Sequence, residues 1–240
     1  MSDMIQHLPA IALRGTTILP DMIVHFDVSR EKSIKAIEKA MVQDQRVFLI
    51  TQRDPQTEEP SQEDLYTVGT IGEIKQLVKN RKNMVQVLVE GKQRAELVRF
   101  DSEDVYLEAE VALFEEEEIS LDENVKEARR RGIKELFVRY CNENTKMSKD
   151  LAGQILEIEE IEKVIDQIAV NLPMKYEDKQ KILEAASLED RYETLGMILS
   201  NEIEIMQIRI DLSNKVKERV DKNQREYILR EQMKVIREEL

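Results

Sequence analysis

The sequence predicts an α+β chain in two parts. A small, mostly antiparallel β-barrel-like domain with one inserted helix comes first, then an all-α helical bundle ending in a very long helix. Three observations carry this. Apolar and polar residues alternate at period two through much of residues 8–115, as strands with one face in a core do. After Asp122 the apolar repeat changes to three and four residues, the period of an amphipathic helix. From Leu188 to Leu240 there is no Pro and one Gly, Gly196, so nothing interrupts a helix of about 75 Å at 1.5 Å per residue.

The elements follow in order. Pro9–Leu13 and Met22–Val28 are short apolar runs separated by a Gly/Thr/Pro loop, and both read as strands. Ser29 offers an N-cap to a helix with Glu31 in its first turn and Ile34, Ile37 and Met41 on one face. Arg46–Thr51 is a compact buried strand, and Arg53–Asp64 a polar loop with two prolines. In the next strand Gly69 and Gly72 point to a bulge or a close backbone approach. A hairpin loop at Lys79–Asn83 leads to strand segments Met84–Val89 and Ala95–Phe100 around Gly91, and Val105–Phe114 closes the sheet.

Asp101–Glu123 holds eleven acidic residues and no Lys or Arg. It reads as a solvated linker around the Glu115–Glu118 run, with an acidic docking site as the sharper alternative. The division is therefore 1–116 for the β domain, 117–187 for the bundle and 188–240 for the long helix. Within the bundle, helices are expected at Val125–Tyr140, at Leu151–Glu157 with Ser148 as cap, at Ile158–Val170 and, after Pro173, at Tyr176–Ala186. No Gly, Asn or Pro signal stops the last helix before Leu240, and the expectation is that it continues as a connecting rod in a larger machine.

Composition narrows the function. The net charge is −13, which disfavours nucleic acid and anionic membranes as partners. Residues 205–240 carry nine Lys and Arg against seven Asp and Glu, which leaves −15 for residues 1–204. Cys141 is the single cysteine, so no internal disulfide forms and a reducing compartment is expected. The N-terminus lacks the features of a signal peptide and no window is apolar enough to span a membrane; a cytoplasmic location is the expectation.

No catalytic chemistry is legible. There is no GxxxxGK[ST] phosphate loop and no GxSxG elbow. His7 and His25 are isolated in sequence, with no spacing that marks a metal site. The expectation is no catalytic residue, no cofactor and no metal within the chain. What remains is a binding surface for apolar, extended polypeptide, and adaptable Met side chains suit that task. Ile18, Leu19, Pro20 and Met22 are expected to form an exposed apolar loop tip, since a loop that short is expected not to bury all four. Met206 and Val220 on the long helix are weaker candidates. Arg30, Glu31 and Lys32 at the start of the inserted helix could add polar contacts, although helix capping accounts equally well for Glu31.

The order of segments resembles a known family. LPAIALR (Leu8–Arg14), DVSREKSIKAIEKAM (Asp27–Met41), EEPSQEDLYTVGT (Glu58–Thr70) and VLVEGKQRAEL (Val87–Leu97) are similar to the N-terminal domain of bacterial Lon proteases. LPMKYEDKQKILE (Leu172–Glu184) resembles the helical subdomain that follows in that family, and QREYILREQMKVIREEL (Gln224–Leu240) the lead into its ATPase module. Ala12 stands where the family usually has a second Pro, and Leu19 where a Tyr precedes the Pro.

The resemblance implies a substrate-recognition and assembly region. The parent would be a hexameric ATP-dependent serine protease that degrades misfolded and regulatory proteins in quality control and stress response. It implies unfolded or degron-bearing protein substrates as partners. ATP and magnesium would serve the parent alone, whose ATPase and Ser-Lys peptidase residues fall outside this chain. Two other readings stay open. One is a stand-alone interaction protein with a coiled-coil arm; the other is a nucleic-acid-binding barrel, against which the charge of −15 on residues 1–204 counts.

Overall fold

Strands rich in Val, Ile and Phe bury both their faces when a closed sheet is also covered from outside, and that arrangement organises the first half of the chain. The computed structural model describes residues 5–79, 84–102, 105–114, 122–144 and 147–240. Its strands are β1 (Ile5–Leu13), β2 (Ile23–Val28), β3 (Arg46–Thr51), β4 (Val68–Lys79), β5 (Val85–Ser102) and β6 (Leu107–Leu113), with helix α1 (Glu31–Val42) between β2 and β3. The sheet order is β2-β5-β4-β3-β1-β6, and a further β5–β6 pairing closes it. All pairings are antiparallel except β1 with β3.

Closure depends on β5. Its first half pairs with β2 from Ile23↔Glu90 to Val28↔Val85, and its second half pairs with β6 from Ala95 to Ser102. The sequence suggested two strand segments around Gly91; the structure has one strand that changes partner there. Register shifts at Leu97/Arg99 and Phe100/Ser102 bend it round the barrel. β4 shifts register at Ile71/Gly72, beside one of the two glycines flagged in the sequence.

Leu8, Ala10, Ala12, Phe48, Ile50, Ile71, Ala109 and Val111 fill the barrel interior. The alternate residues Ile11, Leu13, Val47 and Leu49 face outward into a second cluster with Ala36, Ile37 and Ala40 of α1. Ser29 is not the cap of α1 as expected: Arg30 occupies the N-cap position, without a side-chain hydrogen bond to the helix.

The helical part comprises α2 (Glu123–Glu143), α3 (Lys149–Glu157), α4 (Ile161–Asn171), α5 (Tyr176–Glu184) and α6 (Leu188–Glu239). Asp122 caps α2 by accepting from the Asn124 amide, and Ser187 caps α6 by accepting from Asp190. Ser148 stands at the N-cap of α3 as expected but makes no capping hydrogen bond. Ile158 ends α3 instead of opening the next helix, so α4 begins at Ile161 and buries Ile161, Val164, Ile165 and Ile168.

The start of α6 lies in the core through Leu195, Ile198, Leu199 and Ile203. Beyond Met206 every residue of it is exposed. The hairpin loop expected at 79–83 (apart from Lys79), the Glu115–Glu118 run and the boundary placed near 119–121 lie outside the described residues.

Candidate functional site

The loop between β1 and β2 is locked into the fold, which corrects the expectation of an exposed apolar tip. Ile18 is 1% exposed, Leu19 3% and Met22 8%; Pro20 is half-buried. Asp21 takes a left-handed conformation with φ 64°, which turns the chain sharply enough for two reciprocal bonds. Asp21 N donates to the Gly91 carbonyl at 3.0 Å, and Gly91 N donates to the Met22 carbonyl at 2.8 Å. Thr70 Oγ1 donates to the Ile18 carbonyl at 2.6 Å, and the Leu19 amide points at Met22 Sδ at 3.3 Å.

Gly91 is required for this closure, because a Cβ there would overlap the Leu19 carbonyl oxygen. The sequence argument missed it because the satisfying partners, Thr70 and Gly91, lie far along the chain. Ile18, Leu19 and Met22 are core residues and present no apolar surface to a client.

A second set of candidates is brought together. α1 starts at the rim of a cleft of about 450 Å³ lined by Arg14, Arg30, Glu31, Lys32, Lys35, Glu58 and Pro60. A smaller adjoining hollow runs between the end of β1 and the end of β2. Arg30 forms the shared wall. Its guanidinium donates to Gln52 Oε1 at 2.5 Å and to the Thr57 carbonyl at 3.1 Å. Gln52 is wholly buried and in turn donates to the Thr57 carbonyl at 3.0 Å, so a core amide fixes an arginine at the cleft.

Arg14 reaches the Thr57 and Glu58 carbonyls at 3.4 and 3.3 Å. Burial, and then the neighbouring Arg14 charge, lower the Arg30 pKa, with Glu58 opposing. The loop 53–60 is thereby pinned against two cations. Sequence reasoning missed Arg14, Gln52 and Glu58; Arg14 ends one quoted motif and Glu58 opens another, while Gln52 lies in none.

Glu31 and Lys32 are exposed at the cleft mouth. Glu31 pairs with Lys35 one turn on at 2.7 Å, and that hydrogen bond holds its carboxyl below the usual range. The mouth therefore offers both charge signs within one helical turn. Such a surface suits polar and backbone groups of an extended chain better than a strongly charged ligand.

The long-helix candidates lie elsewhere. Met206 is half-buried against the bundle core, so its packing role is filled. Val220 is 55% exposed, in a row with exposed Ile208, Leu212 and Val216. No helix among the described residues is long and apolar enough to cross a membrane.

Residues 7–201 match the family described as the ATP-dependent protease La (LON) substrate-binding domain. Over all 240 residues the chain is 48% identical to the Lon protease of Lachnoclostridium phytofermentans, of which it covers 30%. It is 37% identical over 233 residues to Lon protease 1 of Bacillus subtilis, 97% of this chain and again 30% of that protein. The chain thus spans about a third of the length of these relatives. The fold is shared with the N-terminal domain of Mycobacterium avium complex Lon protease at a TM-score of 0.65 and 17% identity, over 81% of this chain and 98% of that one. The Lon N-terminal domain protein of Xanthomonas campestris gives a TM-score of 0.55 at 14% identity, over 79% and 96%.

Proposed function

The chain belongs to the LON substrate-binding domain family, and from that premise we propose that it recruits protein clients, and helps assemble the ring, for an ATP-dependent serine protease of Lon type. The observation that carries this reading is the family match across both the barrel and the bundle, residues 7–201. We assign hydrolysis of ATP and of peptide bonds, and with them ATP and magnesium, to parts of the parent outside these 240 residues, in keeping with the 30% of each relative that the chain covers. The parent works in the cytoplasm as a hexamer on unfolded or degron-bearing proteins.

The cleft at the start of α1 is the contact surface that the geometry favours. Arg30 is held in place from beneath by Gln52, while Lys32 and the Glu31–Lys35 ion pair are exposed at the mouth, where a client can reach them. A rigid base lowers the entropy lost on binding. The exposed row on α6 that includes Val220 serves as the rod joining this body to the rest of the parent, and Met206 seats the rod on the bundle.

The test is fluorescence anisotropy with a labelled, permanently unfolded client. Glu31→Ala with Lys32→Ala should weaken binding several-fold while the thermal midpoint stays within about 2 °C, as expected for surface changes of under ~0.5 kcal/mol. Unchanged affinity in that double variant sinks the assignment of the cleft. The competing reading, a stand-alone interaction protein, draws on the exposed apolar row of α6. A reading frame continuing past Leu240 into GxxxxGK[ST] decides against it.

A further inference from the structure

Among the described residues, one group of three potential metal ligands converges: His7, Asp101 and Glu110, whose ligating atoms all lie within 4.8 Å of one another. They come from β1, β5 and β6, the three strands that meet where the barrel closes. His7 and Glu110 are direct cross-strand partners, and Glu110 is the partner of Arg99 on β5. His7 Nδ1 lies 2.5 Å from Asp101 Oδ2. We propose that this seam is a divalent-cation site of the zinc class, independent of the client-binding reading above.

The donor set decides the class of ion. One imidazole nitrogen and two carboxylates suit Zn²⁺, Co²⁺ or Ni²⁺, whereas Mg²⁺ and Ca²⁺ prefer oxygen alone. Bonds of about 2.0–2.2 Å place tetrahedral ligand atoms roughly 3.4 Å apart. The His7–Asp101 pair opens from 2.5 Å by about an ångström and the wider pairs close from at most 4.8 Å, changes of the size that side-chain rotation supplies. Binding puts the neutral imidazole proton on Nε2, so that Nδ1 presents its lone pair. Three protein ligands leave a fourth position for water.

Arg99 now occupies this ground. Its Nε donates to Glu110 Oε2 at 2.7 Å, and its other arm lies 3.5 Å from Asp101 Oδ1. The two carboxylates are the more covered partners, with side chains 12% and 25% exposed, while Arg99 is 65% exposed. Two converging carboxylates, Asp101 exposed and Glu110 half-buried, attract a cation. A long, exposed arginine supplies one charge and is free to swing into solvent when a doubly charged ion arrives. Arg99 is thus a competitor for the site, and its removal should tighten binding, the reverse of what losing a ligand does.

The experiment titrates the EDTA-stripped chain with ZnCl₂ by calorimetry and with CoCl₂ by visible absorption, with MgCl₂ as a further titrant. The expected result is one saturable Zn²⁺ site and no Mg²⁺ uptake there. His7→Ala and Glu110→Gln should each weaken Zn²⁺ at least tenfold, and Arg99→Ala should tighten it several-fold. His25→Ala and Cys141→Ser, which remove soft donors elsewhere, should change nothing. Zn²⁺ should also raise the thermal midpoint of the unsubstituted chain but not of His7→Ala, because an ion bound only to the folded state stabilises it. His7 is exposed, so its variant folds and carries the test should Glu110→Gln fail to. No saturable Zn²⁺ uptake, or equal affinity in His7→Ala, overturns the proposal and leaves the cluster a surface ion network.

Discussion

The side-chain amide of Gln180 on α5 donates to the Val68 carbonyl of β4 at 2.8 Å, across 112 residues of chain. Gln180 is 1% exposed and also lies 3.4 Å from Thr17 Oγ1, which donates to the Tyr176 carbonyl at 3.0 Å. A buried polar knot therefore ties the barrel to the bundle at the foot of the β1–β2 loop. Arg94 of β5 and Arg191 of α6, both buried, share Asp166 of α4 nearby. One continuous apolar cluster runs from Ile18 and Met22 through Ile165 and Leu199.

Replacing Gln180 by Leu strips the knot of its donor and strands the Val68 carbonyl. An unsatisfied buried polar group costs about 1–3 kcal/mol. Urea unfolding followed by circular dichroism should show an unfolding free energy lowered by that amount, with the midpoint shifted down accordingly. An unchanged midpoint would mean that water satisfies the carbonyl and that the knot holds nothing.

Ile18 now tests the corrected loop. Ile18→Ala should destabilise by about 2–5 kcal/mol, the range for a fully buried aliphatic side chain. Ile23→Ala should stay within about 0.5 kcal/mol, since Ile23 is 64% exposed. The substitution is the same and the two sites differ chiefly in burial, so equal effects in thermal melts would restore the exposed-tip expectation. Gly91→Ala should resemble Ile18→Ala, because the added methyl meets backbone at Leu19.

Lys179 supplies a pH test. Burial lowers its pKa, and its ammonium lies 3.9 Å from Met22 Sδ. The folded pKa is below the unfolded one, so between the two the unfolded chain binds more protons and stability rises with pH. That contribution is fully present above the ordinary lysine range and is lost as pH falls through the folded pKa. Lys179→Met should raise the midpoint at pH 7 and flatten the pH dependence on the alkaline side. A variant that melts lower at pH 7 refutes the desolvation argument.

Val220→Pro should break α6 locally, at roughly 3 kcal/mol of helix stability, without touching the core, which α6 leaves after Met206. Far-UV ellipticity should fall while the main melting transition holds. In the full-length parent, degradation of large clients should drop while cleavage of small peptides persists. Equal loss of both would assign the rod to ring stability alone.

Residue pattern by itself determined the α+β class, most of the element order, the place of the inserted helix and the long final helix, but not that β5 is one continuous strand. Those features follow from local periodicity, and the period-two run of β6 or the uninterrupted run after Leu188 needs no distant partner to be read. The resemblance to the Lon family was equally legible, because it rests on ordered segments. Tertiary structure alone decided which loop was covered, which arginine was anchored and which side chains met at the barrel seam. Ile18 and Met22 look exposed until Thr70 and Gly91 fold over to satisfy their backbone. Arg30 looks like a free surface cation until the buried Gln52 takes hold of it. His7 stands alone in sequence, and only barrel closure sets it beside Asp101 and Glu110, about a hundred residues later. In each case the deciding contact is long-range, fixed by strand register and chain closure, and periodicity along the chain carries no information about it.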